Sequence, residues 1–331
     1  MEVTLVSHSF DTRIRGVGSY SQLIYDSLEL KGVKLNTIAE EDAFLPYSSR
    51  LSYPLYSAID LKRLMRRFKN SDVYHSLSPN ESLYIPKNKG VCSVLDFIPF
   101  TQINSMYSKI NAKFFNKCIK SAVECEKIIV INPDLKEVLT SRYNAEASDI
   151  EVISPPIDNK YYPLNKNNDS FVIGTVSELS KRKRVDVLIK SFLEADIENS
   201  KLLIGGGGSE LEYLKKLANG DERIEFLGFV PDEKMNEFYN SLDLFVFPTR
   251  IEGYGMPIVE AMACAKPVIT LEDAQIPSNL KEKTFTCSKE ELADVLSNRT
   301  YFCDIKKNIE FFKEHSIENI GPKLLKVYES I

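Results

Sequence analysis

Apolar residues in this chain recur in short β-branched runs separated by longer stretches of helical period. In the first half the strand-like runs are Val3–Ser7, Lys34–Ile38, Asp72–His75, Val91–Leu95, Lys127–Ile131 and Ile150–Ile153. Helical period fills Ser19–Leu30, Ala58–Phe68, Ser105–Cys125 and Asp134–Tyr143. A polar stretch, SPPIDNKYYPLNKNNDS at 154–170, has no helical period and reads as a linker. The alternation then restarts. Strands are expected at Phe171–Val176, Lys201–Ile204, Ile224–Leu227, Leu242–Phe247 and Pro267–Thr270, and helices at Val185–Leu193, Glu210–Ala218, Glu233–Tyr239 and Pro257–Ala263. From about Lys289 the pattern is helical to the end. Strands alternating with helices predict an α/β fold of parallel sheets with crossover helices. Two such halves around one linker predict two doubly wound domains facing each other across a cleft, the default ligand site of parallel sheets.

Composition narrows the function classes. A chain of 331 residues, 43% hydrophobic and 27% charged, suits two domains that each bury a core. A net charge of −5 argues against a general nucleic-acid binder. The charge is uneven: residues 1–165 carry 20 Lys+Arg against 19 Asp+Glu, whereas 166–331 carry 22 against 28. The six cysteines form no C-x-x-C pair and no zinc spacing, a reduced pattern. No apolar run approaches the ~18 residues of a membrane-spanning helix. The opening MEVTLVSHSF has no charged segment before a long apolar one, so it reads as a first strand rather than a signal peptide. A cytoplasmic protein is the expectation.

The candidate chemistry is densest at EGYGMPIVE, residues 252–260. A strand ends at Phe245–Pro248, a loop follows, and Pro257 suits the first turn of a helix. Free N–H groups at that helix start favour a phosphate. Gly253 and Gly255 let a ligand approach the backbone. Glu252 on the loop and Glu260 one turn into the helix can each grip neighbouring hydroxyls with two acceptor oxygens. Hydroxyl, phosphate and hydroxyl in a row is the outline of a nucleotide-sugar. KRKR at 181–184 lies between a strand and a helix, where a basic cluster can neutralise a diphosphate. Gly205–Gly208 and GVGSY at 16–20 are weaker signals of close backbone approach, and the former lacks the G-x-G-x-x-G spacing of a dinucleotide site.

These residues carry a resemblance. TRIEGYGMPIVEAMACAKPVIT resembles the donor-site signature of family 4 glycosyltransferases, which have the two-domain GT-B fold. KLLIGGGGSELEYLKKLA, RIEFLGFVPDEKMNEFYNSLDLFVFPT and FVIGTVSELSKRKRVDVLIKSF are similar to the same family in order and spacing. The match is nearly continuous from 171 to about 270, and thinner before it, where RGVGSY, LDFIP at 95–99 and PPIDNKYYP at 155–163 are similar to family landmarks. The resemblance implies two Rossmann-like domains. Residues 1–160 would be on the acceptor side and 161–310 would hold the nucleotide-sugar donor, with 311–331 a C-terminal helix packing back on the first domain. It implies a retaining hexosyltransferase, taking a UDP- or GDP-linked sugar to a glycan, lipid-linked or other hydroxyl acceptor. Glu260 would hold the ribose. Glu252 would face the transferred sugar with Gly253, Tyr254, Gly255 and Met256. Lys183, with Arg182 beside it, would meet the diphosphate, Gly16–Val17–Gly18 would close near the phosphates, and Phe229 and Val230 would meet the base. No D-x-D occurs in the chain, so transfer is expected without a metal or other cofactor, the positive charge coming from Lys183, Arg182 and the helix at Pro257.

The chain departs from the family pattern in places. Leu95-Asp96 stands where the family commonly has His-Asp, and leucine can neither donate a hydrogen bond nor move a proton. His75, at the end of a neighbouring strand, is the expected substitute, ahead of His8. Thr175 stands where an arginine often follows the strand glycine, Ala265 where glycine is frequent, and Ser278 near a frequent acidic position. Two alternatives stay open: an epimerase or phosphorylase of the same fold, and a catalytically impaired sugar-nucleotide binding protein. LKRLMRRF at 61–68 reads as a basic amphipathic helix, and Lys109, Lys113, Lys117 and Lys120 as a second basic stripe. Peripheral contact with an anionic membrane at its cytoplasmic face is expected from them. The nucleotide, sugar, acceptor, linkage and oligomeric state are not legible.

Overall fold

The computed structural model of the protein describes residues 1–11, 16–42, 60–100, 106–165 and 168–331. The first residues of the two helical stretches expected at Ala58–Phe68 and Ser105–Cys125, and part of the 154–170 linker, lie outside them. The chain forms two compact units, Met1–Asp158 with Glu314–Ile331, and Asn159–Lys313.

The first unit holds a six-stranded parallel sheet in the order β2-β1-β3-β4-β5-β6. Its strands are β1 (Glu2–Val6), β2 (Lys34–Ile38), β3 (Val73–Ser76), β4 (Gly90–Val94), β5 (Lys127–Val130) and β6 (Ile150–Val152). β3 and β4 are buried along their whole length, as strands covered on both faces must be. Helices α1 (Val17–Glu29), α2 (Met106–Ala122) and α3 (Pro133–Tyr143) fill crossovers. Asn132 caps α3 by accepting from the Leu135 amide, and Asn144 ends it in the left-handed region.

The second unit repeats the plan with the order β12-β11-β10-β7-β8-β9, again parallel. Its strands are β7 (Phe171–Val176), β8 (Ser200–Gly205), β9 (Ile224–Gly228), β10 (Leu244–Phe247), β11 (Val268–Leu271) and β12 (Phe285–Cys287). Its α-helices of six residues or more are α4 (Val185–Ala195), α5 (Leu211–Leu217), α6 (Met235–Asn240), α7 (Met256–Ala263), α8 (Leu292–Asn298) and α9 (Ile305–Glu314). Leu188, Phe192, Leu202, Leu244 and Leu292 meet in a core that the sheet shares with α4 and α8. β12 has no counterpart in the sequence reading. It is a three-residue edge strand, too short to show a period.

The last helix, α10 (Ile317–Tyr328), belongs to the first unit and packs on α1. The contact is close enough that a Cβ on Gly321 would lie 2.3 Å from the Ser27 carbonyl oxygen. Tyr328 at its end hydrogen-bonds into the sheet. Its hydroxyl is 2.7 Å from His75 Nδ1, His75 Nε2 is 2.8 Å from Ser93 Oγ, and Ser93 Oγ is 2.8 Å from the Tyr20 hydroxyl. This buried chain of four polar groups ties α10, β3, β4 and α1 together.

The expected 61–68 helix is a single helical turn, Lys62–Leu64, continued as a 3-10 segment over Met65–Phe68. Leu61, Leu64 and Met65 are buried in the first unit, so its apolar side is core and not a face held ready for lipid.

Candidate active site

The loop after β10 is held by three backbone hydrogen bonds. The Glu252 amide donates to the Gln275 carbonyl at 3.0 Å, and the Gln275 amide to the Arg250 carbonyl at 2.8 Å. The Arg250 amide in turn reaches the Arg182 carbonyl, 2.8 Å away on the basic turn that follows β7. Gly255 then starts α7 with φ of 103°, in the region that favours glycine, and Pro257 sits in the first turn.

The basic turn Lys181–Lys183 docks onto this loop. Lys183 Nζ lies 2.7 Å and Arg182 Nη1 2.8 Å from the same oxygen, Glu252 Oε1, and the Thr249 hydroxyl donates to it at 2.5 Å. Three donors saturate an oxygen with two lone pairs. Arg182 also donates to the Ile251 carbonyl at 2.7 Å. Arg184, left-handed at φ of 51°, reaches the Pro248 and Thr249 carbonyls and grips Asp273 with both terminal nitrogens at 2.7 and 2.9 Å. Of KRKR, three side chains are therefore engaged with the loop region and Lys181 alone points to solvent. Lys183 is only 8% exposed and lies over the Phe247 ring at 4.9 Å. Burial pushes its ammonium below the usual lysine range, the Glu252 charge opposes that shift, and the Arg182 charge adds to it.

Glu260, one turn into α7, is half-buried, and the hydroxyl of Tyr239 on α6 donates to its Oε2 at 2.6 Å. The remaining loop residues expected at the donor are placed around these groups. Gly253 and Met256 are half-buried, while Tyr254 and Gly255 are buried. After β9, Gly228 turns with φ of 66° and presents Phe229, 66% exposed, beside a buried Val230.

The glycines behave differently from one another. A Cβ on Gly206 would lie 1.8 Å from the Ser177 carbonyl oxygen and one on Gly208 2.4 Å from that of Leu179. A Cβ on Gly205 would lie 2.9 Å from Val176 Cγ2. Backbone bonds from Ser177 to Gly205 and from Leu179 to Gly207 zip the two segments together. Most of the run is thus filled by the chain itself, and only Gly207 has open space where a side chain would start. In the first unit Gly16, at φ of 91°, precedes α1 and is likewise open, whereas Gly18 is buried within the helix.

His75 does not fit the role expected of it. It is fully buried, and its two ring nitrogens are matched to Tyr328 and Ser93. Burial pushes its pKa down to about 3, so it is a neutral core histidine with no free proton site for a sugar. Leu95 is half-buried just past β4. His8 sits just past β1 with Nδ1 2.8 Å from Glu40 Oε2. Thr249 and Tyr239, which hold the two glutamates, were not legible in the sequence. Thr249 could have been suspected from its place three residues before Glu252, but nothing local links Tyr239 to Glu260. Among the described residues no three His, Cys, Asp or Glu side chains gather as a metal-binding group, and no helix is long and apolar enough to cross a membrane.

Residues 157–286 match the family model described as glycosyl transferases group 1. The O-antigen chain mannosyltransferase B of Escherichia coli is 27% identical over 230 residues, 62% of this chain and 58% of that protein. Sucrose-phosphate synthase from Thermosynechococcus elongatus superposes with a TM-score of 0.79 at 17% identity, covering 100% of this chain and 98% of that one. Anabaena HepE, solved with UDP and glucose, superposes at 0.73 and 16% identity over 100% of both. With the two parallel six-stranded sheets, the superpositions show the GT-B fold, and residues 157–286, almost all in the second unit, are similar to the group 1 glycosyl transferases. The chain spans 37–61% of the length of the first curated relatives it matches.

Proposed function

We propose that the protein is a retaining glycosyltransferase that moves a hexose from a nucleoside diphosphate to a hydroxyl acceptor. The observation that carries this reading is the convergence of Lys183 and Arg182 on Glu252, four residues before α7, with Glu260 on that helix. Two cations and a helix start at one place can take the charge that develops on a departing diphosphate. Glu260 would hold the ribose, Phe229 and Val230 would meet the base, and the second oxygen of Glu252 would face the sugar. UDP is the first donor base to test, because HepE was solved with UDP and glucose. Transfer would proceed without a metal, and the acceptor, a glycan or lipid-linked hydroxyl, would be met by the first unit near Gly16.

Calorimetric titration with UDP-, GDP- and ADP-sugars in EDTA tests the donor reading, and analysis of the anomeric configuration of a new glycoside tests retention. Binding to none of the three donors, with or without added metal, would remove the transferase reading. A second reading is favoured by Leu95 and the buried His75: a sugar-nucleotide binding protein with impaired catalysis. It predicts donor binding without turnover on any acceptor or on water.

A further inference from the structure

We propose that Tyr239 is the positioning residue of the donor site, setting the Glu260 carboxylate in the pose that selects a nucleotide with both ribose hydroxyls. The inference rests on the ribose reading of Glu260 and goes beyond it by assigning the group that makes that carboxylate selective.

Tyr239 is fully buried at the end of α6. Its ring is packed edge-on by three aromatic rings, Tyr161 at 5.9 Å, Phe238 at 5.5 Å and Phe245 at 5.4 Å between centroids. The ring therefore has one place to be, and its hydroxyl one direction in which to donate. A buried tyrosine hydroxyl needs an acceptor, and it finds Glu260 Oε2 at 2.6 Å. A glutamate on a helix otherwise spreads over several rotamers, and ordering it on ligand binding weakens the binding. Here that ordering is done before any ligand arrives. The neighbouring turn of α6 is fixed as well. Asn236 Oδ1 accepts from the Tyr162 amide at 3.1 Å and from Cys264 Sγ, one turn beyond Glu260, at 3.2 Å. Asn240 Nδ2 donates to the Tyr162 carbonyl at 2.9 Å. The segment from Tyr161 to Leu164 thus laces onto α6, and α6 holds α7 by Tyr239 and Asn236. Oε2 of Glu260 is anchored by Tyr239, which narrows the poses in which the carboxylate can meet a pair of adjacent hydroxyls.

The test compares each of UDP, GDP and ADP with its 2′,3′-dideoxy counterpart, by calorimetry on the full chain. Inorganic pyrophosphate serves as a probe of the Lys183 and Arg182 end. The variants are Tyr239→Phe, Glu260→Gln and the double variant. The preferred wild-type nucleotide should exceed its dideoxy counterpart, and Tyr239→Phe should cut that preference by about five- to tenfold, the net effect of one typical hydrogen bond. Pyrophosphate affinity should stay within about twofold. The double variant should be no worse than Glu260→Gln, because the tyrosine acts through the glutamate. An undiminished ribose preference in Tyr239→Phe overturns the proposal. So does an equal fall for nucleotide, dideoxy nucleotide and pyrophosphate, which would show a packing role only. A wild-type protein that binds nucleotides with no ribose preference removes the reading of Glu260 and this proposal together.

Discussion

Lys183 and Glu252 are 69 residues apart in the chain and 2.7 Å apart in space, and the oxygen that joins them also takes Arg182 and Thr249. The carboxylate thus occupies the place between two cations where an anion would be bound. Glu252→Gln keeps the shape and an acceptor oxygen but removes the negative charge that competes for both cations. Pyrophosphate should then bind more tightly, by roughly three- to tenfold at low salt, while sugar transfer falls. Isothermal titration and a turnover assay on the same preparation check both signs. Weaker pyrophosphate binding would mean that the carboxylate organises the cations rather than competing for their ligand.

That relationship marks how far the sequence can be read. β2 and β7 coincide with their predicted ranges, because a run of β-branched residues is a local signal. Glu252 and the KRKR turn were also visible, since each lies between a strand and a helix, and Glu260 since it lies one turn into the helix that follows. What was not visible are the contacts of long separation. The anchors Thr249 and Tyr239 and the 253-residue reach from His75 to Tyr328 depend on tertiary packing that no period encodes. The apolar stripe at 61–68 and the run Gly205–Gly208 show the opposite failure. Both patterns are real, but the stripe packs into the protein's own core, and in the run Gly205, Gly206 and Gly208 face Val176 and the Ser177–Leu179 backbone, leaving Gly207 alone open.

His75 makes the stability of the first unit depend on pH. In the folded chain burial holds its pKa at about 3, whereas an unfolded histidine titrates near 6.5. Between those values the unfolded state binds the extra proton. The contribution of this group is complete above about pH 6.5 and is lost as pH falls toward about 3, at about 1.4 kcal/mol per pH unit within the window. Urea midpoints at pH 5 and 7 should separate wild type from His75→Gln, which lacks the titrating ring and keeps a polar group. Parallel pH profiles for the two proteins would show that the imidazole is not the titrating group. Tyr328→Phe removes the partner of Nδ1 and should cost about 1–3 kcal/mol at pH 7, with nucleotide affinity in the second unit unchanged.

The adjacent glycines 206 and 207 should differ sharply. Alanine at 206 would place Cβ 1.8 Å from the Ser177 carbonyl oxygen, on a residue with φ of 111°. Backbone cannot yield as a flexible side chain can, so Gly206→Ala should lose about 3 kcal/mol or more, or fail to fold. Gly207→Ala meets open space and should stay within about 1 kcal/mol of wild type in a thermal melt. If Gly207→Ala folds normally yet weakens nucleotide binding, Gly207 is the member of the run that a ligand approaches.

Membrane contact through 61–68, if it occurs, must be electrostatic. Lys62, Arg63, Arg66, Arg67 and Lys69 are exposed, but Leu61, Leu64 and Met65 are buried. Turning those three outward would forfeit about 1.5–3 kcal/mol for each. On α2, Lys109, Lys113, Lys117 and Lys120 are all exposed, and that helix carries no acidic residue. Charge attraction of this kind acts within about a Debye length and fades with salt. Flotation with vesicles rich in anionic lipid should therefore show binding at low salt that is lost by about 0.3 M NaCl, where the Debye length has shrunk to roughly 6 Å. Lys62→Glu, Arg66→Glu and Arg67→Glu together should weaken it. Leu64→Ala should instead lower the melting temperature, leaving the vesicle affinity of the folded protein unchanged, because that side chain belongs to the core. Binding that survives high salt and falls with Leu64→Ala would mean that this segment leaves the core to enter the bilayer.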